Sequence, residues 1–186
     1  DIAMQDTNHQ YDQIVSKCRH IYTLKMSDYG PSWRIMRPQT VNDQLFIKAK
    51  RIRELEITGI NMVGESIEGE LMAIVNYSII GLIQLSEGYA DSVDMSAENA
   101  IKLYDKWMKE AKELMQKKNH DYGEAWRDML PSSLTDMILT KINRNKSIAS
   151  HDNKTLISEG ADGNLFDILN YAVFYLIKIF EENEEL

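Results

Sequence analysis

Cysteine is almost missing from this sequence. Cys18 stands alone among 186 residues, so no internal disulfide can form and a cysteine-based zinc site is excluded. Positive charge is scarce as well: 21 Lys and Arg face 29 Asp and Glu, for a net charge of -8. A chain this acidic has no general attraction for a phosphate backbone. That argues against a nucleic-acid polymer as partner and leaves room for a small basic pocket holding one nucleotide. The four histidines, His9, His20, His120 and His151, lack metal-ligand spacing. There is no glycine-rich phosphate loop, no Rossmann fingerprint and no Ser-His-Asp order, and no stretch of strand length alternates strictly. Long apolar runs are also lacking. "LMAIVNYSIIGLIQL" and "ILNYAVFYLIKIF" read as buried core helices, too short and too interrupted for a bilayer. The opening "DIAMQDTNHQ" has no basic segment followed by an apolar one, so a signal peptide is not expected. These absences predict a chain of the reducing cytoplasm with no membrane partner.

What the sequence does contain is a repeat. At an offset of 93 residues, half the length of 186, "KMSDYGPSWRIMRP" meets "KNHDYGEAWRDMLP". Tyr11-Asp12 meets Tyr104-Asp105, and Lys48 and Arg51 meet Lys141 and Arg144. After one inserted residue Gly69, Asn76 and Tyr77 meet Gly163, Asn170 and Tyr171. The pattern is a tandem duplication, residues 1–93 and 94–186. Its two copies are expected to pack about a pseudo-twofold axis as one globular unit, whether the chain is a monomer or pairs further into a homodimer.

Each copy reads as three helices. Apolar residues at helical spacing predict the first over roughly 11–26 and 97–118. Glycine and proline then break the chain. The second is expected over 41–57 and 134–148, with Thr40 and Ser133 as caps, and the third over 64–85 and 158–180. The fold class expected is therefore all-α, a bundle of about six main helices. Gly69 and Gly163 inside the third helices suggest close backbone approach between helices.

The third helices carry polar groups on an otherwise apolar cylinder. With Glu65 at 0° and about 100° per residue, Glu68 falls near −60° and Asn76 near +20°; Glu159, Asp162 and Asn170 repeat this stripe. Carboxylates on a buried stripe need a partner or a metal, and two at i, i+3 suit Mg²⁺ with a substrate phosphate. Favourable placement at a helix N-terminus explains the same glutamates without a metal. On the second helices Lys48 and Arg51, like Lys141 and Arg144, face one way at i, i+3. They fit either a solvated face or a phosphate grip. Asn76 and Asn170 must find hydrogen-bond partners, either between helices or on a sugar or base. Tyr29 and Trp33, with Tyr122 and Trp126, form a packed corner or line a pocket.

Asp-Tyr-Gly…Trp, then Lys-x-x-Arg, then "GESIEGELMAIVNYS" and "SEGADGNLFDILNYA" resemble the bacterial and phage nucleotide modification associated domain 1. More distantly, the pattern is similar to the all-α MazG-like and dimeric dUTPase pyrophosphohydrolases. That resemblance implies a Mg²⁺-dependent enzyme acting on a small-molecule (deoxy)nucleotide. Glu65, Glu68, Glu159 and Asp162 match the metal-binding Glu-x-x-Asp element. In the implied mechanism Lys48, Arg51, Lys141 and Arg144 hold phosphate, and Asp167 or Asp121 orients water. Asn76, Asn170, Tyr171 and Trp126 would contact the nucleoside. The Glu-Glu-x-x-Glu that MazG-like enzymes carry on the preceding helix is replaced by Lys and Arg. The alternative is a helical module that senses a nucleotide or binds protein without catalysis. Ala73 stands where the second copy has Asp167, so the two copies are unequal.

Overall fold

Glycine and proline punctuate both halves at matching places, and the backbone shows why. The computed structural model describes residues 2–59, 66–150 and 160–186. The first long helices, α1 (Ile2–Tyr29) and α4 (Ala97–Tyr122), end on Gly30 and Gly123. These glycines have φ of +66° and +63°, where a side chain is strained. A single 3-10 turn follows, Ser32–Ile35 or Ala125–Asp128, and then α2 (Pro38–Thr58) or α5 (Pro131–Ser150). Proline opens both second helices, where a missing N–H costs nothing. Arg37 takes the cap position of α2 without a side-chain hydrogen bond, and the Leu134 amide donates to the Leu130 carbonyl at the start of α5. Thr40 and Ser133, expected as caps, therefore lie inside the first turns. The third helices are α3 (Ile67–Glu87) and α6 (Ala161–Glu182). The fold is all-α: among the described residues there are six α-helices, two 3-10 turns and no strand.

Helices α2, α3, α5 and α6 form a four-helix layer in which α3 and α6 share the largest contact, and α1 and α4 cross over α3 and α6. Each helix touches its own counterpart, as a pseudo-twofold demands. The side chains repeat this reciprocity. Arg19 pairs with Asp105 at 2.7 Å, and Lys112, the counterpart of Arg19, pairs with Asp12 at 2.8 Å. Deeper down, the Tyr11 hydroxyl donates to Asn170 at 2.7 Å, and the Tyr104 hydroxyl donates to Asn76 at 2.8 Å. One buried apolar cluster runs through all six helices, so the two halves share a single core.

Helix α3 approaches α6 closely at Gly81 and not at Gly69. A Cβ on Gly81 would meet the Leu165 methyls at 3.0 and 3.2 Å, whereas one on Gly69 would meet only the Ser66 hydroxyl at 3.4 Å. At 21 and 22 residues, α3 and α6 are long and apolar enough to cross a membrane by length and composition, and most of each is buried inside the bundle.

Candidate functional site

The largest described cavity, about 620 Å³, lies in the second half. Its floor comes from α6, where Asp167, Asn170, Tyr171 and Phe174 follow i, i+3, i+4, i+7 spacing and so share one helix face. Helix α4 adds Lys118, Asn119 and Tyr122 from its last turn, the 3-10 turn adds Trp126, and α5 adds Lys141 and Arg144. Three cations, one carboxylate and four aromatic rings thus meet around one space. Lys118 Nζ lies 2.6 Å from one Asp167 oxygen and Lys141 Nζ lies 2.9 Å from the other. The Asp167 side chain is only 7% exposed. A carboxylate so placed is retained by its cations, because alone it would be costly to bury.

The aromatic members divide into two kinds. Trp126 stacks on Phe174 with ring centroids 4.2 Å apart and planes 3° apart, and the Arg127 guanidinium sits over its ring at 4.4 Å. Trp126 lines the cavity, and its indole N–H is enclosed and has no hydrogen-bond partner. Tyr122 is 74% exposed at the rim, and its ring is open to a planar ligand. Arg127 reaches Thr7 and Gln10 of α1, each at 2.8 Å. In the first half Arg34 bonds to the Gly88 carbonyl at 2.6 Å and pairs with Asp94 at 2.9 Å. The recurring Trp-Arg therefore locks each 3-10 turn to the core. Lys178 and its counterpart Gln84 bind the carbonyls of those turns, Lys178 the Arg127 carbonyl at 2.6 Å and Gln84 the Arg34 carbonyl at 2.9 Å.

Several expected site residues stand elsewhere. Asp121 is exposed beside His120, in a shallow groove on the outer face of α4, and is not with Asp167. Its neighbour Tyr122 takes the cavity side, since adjacent helical residues point about 100° apart. Asp162 is exposed and Glu68 half-buried, and neither lines a described cavity. The cavity face of α6 is centred on Asp167 and Asn170, well round the helix from Asp162. Glu65 and Glu159 lie outside the described residues. Among those described, no three His, Cys, Asp or Glu side chains gather as a metal site. The Asn76 and Asn170 amides are engaged inside the bundle: beyond their tyrosine partners they donate to the Cys18 and Ala111 carbonyls at 3.0 and 3.1 Å. Lys118 and Asn119 carried no expected role. The signal for Lys118 was Lys25, its counterpart at the head of the repeated string, whereas Asn119 has Met26 as its counterpart and gave none.

The first half has a smaller cavity of about 260 Å³ at the equivalent place, lined by Lys25, Tyr29, Trp33, Ala73, Asn76 and Tyr77 among others. Lys48 and Arg51 are not among its walls. Here α3 carries its acid one turn earlier: Glu70 and Ala73 stand where α6 has Asn164 and Asp167. Lys48 is drawn to the buried Glu70, at 3.6 Å, just as Lys141 is drawn to Asp167. A three-residue shift of one carboxylate thus decides which half has its lysine facing the cavity.

An all-α internal pseudo-dimer with a cation-rich, aromatic-rimmed cavity is the class of protein that these features define. The chain belongs to the family described as Nucleotide modification associated domain 1, whose pattern matches twice, over residues 25–85 and 118–179. Each match begins at the cavity lysine, Lys25 or Lys118, and runs into the third helix. Neither a curated protein nor a solved structure matches the chain.

Proposed function

We propose that the second-half cavity binds a nucleotide. Its phosphates would lie on Lys118, Lys141 and Arg144 and its base against Tyr122 and Tyr171. The observation that carries this reading is the convergence of three cations on one cavity of an acidic chain, with a single described carboxylate, Asp167, among them. Arginine forks onto two phosphate oxygens and lysine supplies point charge. At about 620 Å³ the space lies within the range of roughly 300–1,000 Å³ usual for small-ligand sites. Asn170 supports the site by fixing α6 against α1 and α4.

Hydrolysis of the phosphate chain, as in the MazG-like pyrophosphohydrolases, is the second reading, and Asp167 is what favours it, as a buried carboxylate beside the phosphate-binding cations. Mg²⁺ fits this cavity poorly as a protein-held ion, because both Asp167 oxygens already face lysines and Glu68 and Asp162 lie off the wall. The ion would arrive on the nucleotide. The test is thermal stabilisation by nucleoside mono-, di- and triphosphates with and without Mg²⁺, together with pyrophosphate release. A rise in Tm that is lost in Lys141→Ala and Arg144→Ala supports binding. Release abolished in Asp167→Asn adds catalysis. No Tm shift with any nucleotide overturns the reading.

A further inference from the structure

We infer that the first-half cavity is a second ligand site of different chemistry, one that takes an uncharged planar heteroaromatic, a nucleobase or nucleoside without phosphates. This inference does not depend on the second-half cavity binding nucleotides. The two cavities descend from one ancestral sequence, so their differences can be read position by position. Asp167 is replaced by Ala73, Asn119 by Met26 and Phe174 by Ile80, each lining its own cavity. Ser32 stands where the other half has Ala125, so one hydroxyl is gained while an acid and an amide give way to apolar side chains.

The cations have gone as well. Lys25 remains, but Lys48 is committed to Glu70, a carboxylate that is itself only 3% exposed. Neither Lys48 nor Arg51 lines this cavity, whereas Lys141 and Arg144 line the other. One exposed lysine does not compensate a chain of phosphates. A neutral ligand needs no such compensation.

The remaining groups suit a flat ring with an acceptor atom. Trp33 is 5% exposed and lines this cavity, and its indole N–H has no hydrogen-bond partner. That donor is enclosed, and a ring nitrogen or exocyclic carbonyl that displaced the atoms covering it would satisfy it. Tyr29, 73% exposed at the rim, offers a ring face, and Met36 and Met72 give adaptable apolar walls. The volume of about 260 Å³ limits the occupant to one ring system, with or without its sugar.

The experiment is calorimetric titration of the full chain with adenosine, guanosine, cytidine and thymidine and with their free bases. The wild type is expected to bind at least one of them saturably at one site. Ala73→Phe, which fills the cavity, should abolish that binding. Trp33→Phe, which removes the N–H together with part of the ring that lines the cavity, should weaken it by about ten-fold. The double variant Lys141→Ala/Arg144→Ala should leave it unchanged. Where Ala73→Phe does not fold, as judged by helical circular dichroism, Ala73→Asp tests the same wall by restoring the acid of the other half, and it too should weaken binding. Absence of saturable binding by folded wild type overturns the inference. So does binding that survives the Ala73 and Trp33 variants but is lost in Lys141→Ala/Arg144→Ala, since that ligand would sit in the second half.

Discussion

Asp167 occupies the space between two ammonium groups that a phosphate would otherwise use. As an internal counter-ion it competes with any anionic ligand. Asp167→Asn should therefore bind pyrophosphate or a nucleotide more tightly in the absence of Mg²⁺, by about ten-fold, equivalent to ~1.4 kcal/mol. Arg144→Ala should weaken the same binding by roughly ten- to a hundred-fold, from the loss of a charged hydrogen bond of about 1.5–3 kcal/mol. Titration calorimetry reads both, and weaker anion binding in Asp167→Asn would contradict the counter-ion role. Cys18 makes a separate residue-scale prediction. Burial pushes its thiol up to about 12, and it is fully enclosed. It should resist thiol-reactive disulfide reagents at pH 8 in the native state and react at once in denaturant.

The element scale turns on where helices touch. Glycine-to-alanine inside a helix gains about 1 kcal/mol from propensity, and overpacking costs about 1–3 kcal/mol. At Gly69 the added methyl meets ordinary contact, so Gly69→Ala should raise stability. At Gly81 it presses on the Leu165 methyls of α6 at 3.0 and 3.2 Å, so Gly81→Ala should lower it. Opposite signs in urea unfolding are the expected outcome. Sequence periodicity located all six helices, yet repetition between the copies pointed to Gly69 for close approach and passed over Gly81. Gly69 recurs as Gly163 and drew notice. Gly81 does not recur, because its counterpart is Tyr175, whose hydroxyl donates to Glu56 at 2.7 Å. Contact between helices is a property of pairs, and one sequence shows only one member of each pair.

At the scale of the whole molecule, the halves exchange hydrogen bonds through Tyr11–Asn170 and Tyr104–Asn76 and share one core. Residues 94–186 expressed alone should not give a folded monomer; they should be unfolded or pair with a second copy, which analytical ultracentrifugation and circular dichroism distinguish. The same tyrosines set an alkaline limit. Burial raises the Tyr11 and Tyr104 phenols well above their ordinary value of 10.0, while in the unfolded chain they ionise near 10. Their contribution to stability is complete below that pH and drains away as the pH rises above it, where the unfolded state alone releases the protons. Thermal unfolding from pH 9 to 11 should fall steeply in the wild type and less steeply in Tyr11→Phe/Tyr104→Phe.

The sequence by itself determined the helical class, the duplication and the corner of each half, because these depend on local periodicity, on glycine and proline chemistry and on identity between copies. It also marked Lys141, Arg144 and Asp167, which now share a cavity wall, through the Lys-x-x-Arg repeat and the departure at Ala73. Only the tertiary structure decided that Asp121 and Asp162 face away from that cavity, that Asn76 and Asn170 serve the joint between halves, and that Lys118 joins the cations. Which way a side chain points within a bundle depends on the rotation of its helix against its neighbours. That rotation is set by the packing of all six helices at once.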